Sequence, residues 1–66
     1  MTFNDALKQK HNCEIASEGI AQMFEDMAKG LALLSMYGII QPKDEQKLMC
    51  QLETIALSDY AEPIEE

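Results

Sequence analysis

Arginine and tryptophan are missing from this chain of 66 residues, and cysteine and proline occur only twice each. Without arginine, the chain lacks the side chain that makes bidentate contacts to guanine and to phosphate. The five lysines are scattered among twelve aspartates and glutamates, which gives a formal net charge of −7. Because phosphate binding needs clustered basic residues, we expect no direct contact with nucleic acid. A protein partner with a basic surface fits this charge better.

Cysteine usage and the lack of long apolar runs indicate the cellular location of the protein. Cys13 and Cys50 are too few for a disulfide scaffold, and we expect both thiols to be small buried apolar groups in a reducing environment. The first residues do not have the basic and apolar regions of a signal peptide. No apolar run approaches the roughly 18 residues that cross a bilayer. The sequence therefore predicts a soluble, cytoplasmic protein without membrane contacts.

Little in the chain suggests catalysis or a cofactor. With a single histidine, three serines and no glycine-rich phosphate loop, we expect neither an enzyme nor a bound cofactor. His11 and Cys13 have side chains that bind metals, but two residues apart on a helix they point about 200° away from each other. We therefore expect no metal site, and a metal or redox sensor is only the third functional hypothesis.

The most informative positive feature is an apolar pattern with helical spacing. Ile20, Phe24, Met27, Leu31 and Leu34 recur at alternating steps of four and three residues, which is typical of a helix that packs on another helix. Leu48, Leu52 and Ile55 begin a second such pattern. The sequence predicts an all-α fold: a helical hairpin with one domain over 1–60 and an acidic tail over 61–66. The expected elements are a long helix over 3–37, a turn over 38–41 and a helix over 42–60.

Several residues mark the predicted helix ends. Thr2 is suited to cap the first helix, with Asp5 completing a capping box. Gly38 is suited to the left-handed residue that ends a helix. Pro42 fits the first position of the second helix. A break of the long helix near Asn12, which would give a three-helix monomer, is the alternative.

The unequal helix lengths suggest self-association. At 1.5 Å per residue the first helix would span roughly 50 Å and the second roughly 28 Å. Phe3, Leu7, Ile15 and Ala16 would then lie on an overhang without an internal partner. A second copy is the simplest cover, so the sequence predicts a homodimeric four-helix bundle.

We expect a non-enzymatic regulator or inhibitor that docks a helical surface on a larger protein, such as an accessory factor carried by a phage or another mobile element. The residues predicted at the dimer or partner interface are Ile20, Met23, Phe24, Met27, Leu31, Leu34, Leu48, Leu52 and Ile55. An acidic strip of Glu14, Glu18, Glu25 and Asp26 on the first helix is the predicted acidic partner surface. The alternative function is a nucleic-acid mimic of the phage anti-defence or anti-restriction type, because carboxylates one helical turn apart are spaced like neighbouring phosphates.

Overall fold

The predicted long helix is interrupted, and the interruption determines the architecture. A computed structural model of the chain describes residues 2–64. It contains, in chain order, α1 (Phe3–His11), β1 (Cys13–Ile15), α2 (Glu18–Met36), α3 (Pro42–Asp59) and β2 (Ala61–Pro63). The fold is therefore mostly helical, but it is not the all-α hairpin that the apolar spacing predicts, because β1 and β2 form a small sheet.

The prediction of one continuous helix over 3–37 is wrong because the chain turns at Asn12. Asn12 has left-handed backbone angles, φ 53° and ψ 41°, a conformation that asparagine adopts more readily than most residues. A new helix then begins after Ser17, whose hydroxyl accepts a hydrogen bond from the N–H of Ile20 at 3.4 Å. The alternative of a break near Asn12 that gives three helices agrees with this structure.

The other helix ends agree with the sequence prediction. Thr2 and Asp5 form a capping box in which each backbone N–H donates to the other side chain, at 3.1 and 3.2 Å. Gly38 has φ 76°, and the N–H of Ile39 donates to the carbonyl oxygen of Leu34 at 2.9 Å, as in a Schellman motif. Helix α3 has proline in its first turn and extends to Asp59.

The predicted acidic tail over 61–66 is partly a strand. Residues 61–63 pair antiparallel with β1, with Ile15 opposite Ala61 and Cys13 opposite Pro63. The N–H of Ile64 extends the pairing by donating to the carbonyl oxygen of Asn12 at 2.9 Å. These backbone hydrogen bonds order a segment with little apolar surface to bury; residues 65 and 66 lie outside the described part of the chain.

The side chain of Asn4 provides polar partners for the backbone at Ile15. Its Oδ1 accepts from the N–H of Ile15 at 2.8 Å, and its Nδ2 donates to the carbonyl oxygen of Ile15 at 3.3 Å. The amide thus satisfies both backbone groups of a buried residue. It also attaches β1 to α1.

The core lies where α1, β1, α2 and α3 meet. Phe3, Leu7, Ile15, Phe24 and Ala56 are its buried members, and Leu7 is fully inaccessible. The rings of Phe3 and Phe24 pack with centroids 5.4 Å apart. Three residues of the predicted overhang are therefore covered within one chain, while Ala16 is exposed.

No helix among residues 2–64 is long and apolar enough to cross a membrane.

Replacing Asn4 with alanine tests the interrupted helix. We expect N4A to lower the free energy of unfolding by about 1–3 kcal/mol, because the buried N–H and carbonyl of Ile15 lose their partners. The measurement is urea unfolding followed by circular dichroism. Q9A, on the exposed side of α1, is the control and is expected to change stability by less than about 0.5 kcal/mol. Equal effects of N4A and Q9A would contradict this structure. In an uninterrupted helix the Asn4 amide would have no role at Ile15, and alanine would be favourable at either position.

The capping box predicts a pH dependence at Asp5. The hydrogen bond from the backbone of Thr2, followed by that from its side chain, holds the pKa of Asp5 below the ordinary value of an aspartate. Because the pKa is lower in the folded state, the contribution of Asp5 to stability is complete above the unfolded-state pKa and is lost as pH falls through the folded-state pKa. We expect an NMR titration of the Asp5 carboxyl to show the lowered pKa and T2A to bring it closer to normal; an unchanged titration in T2A would exclude the Thr2 hydroxyl as a cause.

Candidate functional site

An open apolar groove runs between α2 and α3. Its volume is about 500 Å³. Gly30 and Gln51 are its lining residues without an apolar side chain. The others are Met27, Leu31, Leu34, Leu48, Leu52 and Ile55. We call this feature the α2–α3 groove; its lining includes no charged side chain among the described residues.

The groove continues into a second hollow of about 330 Å³ toward the start of α2. Met27, Leu52 and Ile55 line both hollows, which makes the apolar surface continuous. Ile20, Met23, Phe24 and Tyr60 complete the second hollow. The ring of Tyr60 also packs against Phe24, with centroids 5.7 Å apart. Strand β2, which pairs with β1, begins directly after Tyr60 at this end of the groove.

All nine residues predicted at an interface line these two hollows, but they differ in burial. Phe24 belongs to the core, where it is 3% exposed. Met23, which directly precedes Phe24, is 59% exposed. The apolar side of α2 is thus divided between two environments. One part packs in the core, and the other part faces the groove.

The large apolar residues of the groove remain accessible. Met27 is 41% exposed and Ile55 is 48% exposed. Leu34 and Leu48 are also exposed, and Leu31 and Leu52 are half-buried. The groove is therefore an apolar surface that the described chain does not cover.

The acidic residues do not form the predicted strip. Glu14 lies on β1 rather than on a helix, with a carboxylate oxygen 3.6 Å from Nζ of Lys8. Glu25 is turned toward α1, where it accepts a hydrogen bond from the N–H of Phe3. Asp26 accepts from Nε2 of Gln22 at 3.0 Å on another side of α2. The break at Asn12 separates Glu14 from the others, so the prediction of one strip with Glu14 and Glu18 a turn apart is wrong.

Two carboxylates have structural roles that the sequence pattern did not predict. Glu25 places a negative charge at the N-terminus of α1, where the helix dipole favours it, and lies 4.0 Å from Nζ of Lys29. Glu53, whose side chain is only 14% exposed, is 3.2 Å from Nζ of Lys10 and 3.8 Å from Nε2 of His11. Except for Lys29, which lies one turn after Glu25, these partners are distant in sequence. The Glu25–Lys29 spacing was therefore the only local signal for either role.

The residues considered for metal or redox chemistry do not form a site within the described chain. Both cysteines are free; Cys13 is half-buried and Cys50 is exposed, so the prediction of two buried thiols is wrong for Cys50. Among residues 2–64, no group of three or more histidine, cysteine, aspartate or glutamate side chains is arranged to hold a metal ion.

Comparisons of the chain with protein-family models, with curated proteins and with solved structures find no match.

The different burial of two neighbouring residues gives a stability test. We expect F24A to lower the free energy of unfolding by about 3–5 kcal/mol, because it leaves a cavity in the core. M23A should change it by less than about 0.5 kcal/mol, because that side chain is already largely in water. Chemical unfolding monitored by circular dichroism measures both. The milder F24L keeps the comparison valid if F24A does not fold, and similar losses in F24L and M23A would contradict the assignment of Phe24 to the core.

Proposed function

We propose that the protein is a non-enzymatic interaction factor whose α2–α3 groove receives an amphipathic helix of a larger protein, thereby regulating or inhibiting that partner. The single observation that carries this proposal is the open apolar groove, lined on both sides by helices. A helix with an apolar stripe is complementary to such a surface and contacts it through residues spaced by three and four.

The energetics favour a covered groove. Leaving a large apolar side chain in water forgoes about 1.5–3 kcal/mol relative to full burial. Six such side chains line the groove, and four of them are at least 37% exposed. Contiguous apolar surface of this kind marks interaction sites more often than isolated exposed residues do.

A partner of different sequence is favoured over a second copy for two reasons. The N-terminal residues that called for a dimer, notably Phe3, Leu7 and Ile15, are buried within one chain. Each copy also carries a formal charge of −7, so that like charges oppose self-association while a basic partner is attracted. A homodimeric four-helix bundle that uses the same groove is the alternative that the experiment below distinguishes.

The experiment measures mass and binding with the full chain. We expect light scattering to give a monomer of 7.4 kDa across a range of concentrations. The probe is a synthetic 18-residue helical peptide with a leucine stripe and glutamine elsewhere. In an NMR titration we expect its addition to shift amide signals of the groove-lining residues. Ile55→Glu should weaken binding at least about tenfold, because it places a charge in an apolar interface.

Leu33→Glu is the matched control. Leu33 and Ile55 are both 48% exposed on a helix, but Leu33 does not line the groove. Equal loss of peptide binding in both variants, or shifts confined to another surface, would overturn the proposal. A wild-type dimer that becomes monomeric only in Ile55→Glu would assign the groove to a second copy instead.

A further inference from the structure

We infer that the helix received by the groove carries basic residues on both sides of its apolar stripe. This inference rests on the proposed function and adds the chemistry of the partner. It follows from where three aspartates without an ion pair lie relative to the groove.

Three aspartates border the groove. Each is four residues, or about one helical turn, from a lining residue and therefore lies on the same side of its helix. Asp26 precedes Gly30, Asp44 precedes Leu48 and Asp59 follows Ile55. We call Asp26, Asp44 and Asp59 the acidic rim.

No ion pair within residues 2–64 involves the rim. Within residues 2–64, the ion pairs join Lys8 to Glu14, Lys10 to Glu53 and Lys29 to Glu25, and His11 also lies beside Glu53. None of these residues lines the groove or the hollow beside it, and none of the pairs involves the acidic rim. Three of the five lysines are thus neutralised elsewhere.

One lysine opposes the rim. Lys47 is four residues before Gln51, another lining residue. Glu45, three residues before Leu48, adds a fourth carboxylate on the same side of α3. Four carboxylates against one ammonium group leave the border of the groove negative on both helices, since Asp26 lies on α2 and the others lie on α3. Charges at the edge of an apolar interface select complementary partners and accelerate their association.

The length of the groove defines the length of the occupant. From Ile20 to Leu34, the apolar side of α2 covers 15 residues, and the 14 steps of 1.5 Å between them span about 21 Å. An occupant of about four turns covers this distance. The partner segment is therefore a helix of about 14 residues or more, with an apolar stripe flanked by lysine or arginine.

The test compares two peptides of equal length and identical leucine stripe, one flanked by lysine and the other by glutamate. We expect the full chain to bind the lysine peptide at least about tenfold more tightly at low salt. The difference should shrink as ionic strength rises, because exposed charges are screened. Fluorescence anisotropy of labelled peptides measures both affinities.

Two variants with the same net charge separate the rim from the overall charge. The first replaces the three carboxylates of the acidic rim with asparagine, and we expect it to bind the lysine peptide about fivefold to tenfold more weakly. The second replaces Glu14, Glu18 and Glu62 with glutamine and should bind almost as well as the unmodified chain. Equal losses in both variants would overturn the role of the rim.

The outcomes also separate this inference from the proposed function. If both peptides bind equally and both lose affinity in Ile55→Glu, the groove is a docking site but its partner is not basic. If Ile55→Glu affects neither peptide, helix docking in the groove is itself wrong. Tighter binding of the lysine peptide, lost in Ile55→Glu and reduced in the rim variant, supports both.

Discussion

The left-handed turn at Asn12 is the constraint on which the rest of the structure depends. It ends α1 after nine residues and lets β1 run in a different direction. Because of that change, Phe3 and Leu7 reach the core beside Phe24 instead of extending into solvent. The carbonyl of Asn12 also accepts a hydrogen bond from the N–H of Ile64, so the same residue joins the end of α1 to the end of the described chain.

Local chemistry explains which parts of the fold could be predicted from the sequence. The capping box at Thr2, the Schellman motif at Gly38 and the proline at the start of α3 each depend on residues within one turn of each other. The apolar spacing along α2 and α3 likewise identified the residues that line the groove. Such signals involve short-range hydrogen bonds or helical periodicity, and neighbouring residues are sufficient to reveal them.

The missed features depend on partners that are distant in sequence. Residues 61–63 have little apolar character, and they are a strand because β1 is available to pair with them. The interruption at Asn12 had a local signal in Ser17, but the apolar residues on both sides also fit one long helix. Deciding between the two interpretations required knowing that the Asn4 amide can satisfy the backbone of Ile15. Periodicity also could not show that Phe24 packs inward while Met23 faces outward.

The incomplete cover of α2 and α3 is the strongest physical support for the proposed helix partner. A chain of this length buries only about 60% of its unfolded surface, so every apolar contact matters for its stability. The α1 helix and the sheet cover one side of the α2–α3 pair, and the groove is an apolar surface left on that pair. A helix seated there would complete a four-helix arrangement, and because it binds only the folded state, it would also stabilise the fold. Burial that the single chain does not achieve would then contribute to affinity, which would link the marginal stability of a small domain to recognition of the proposed partner.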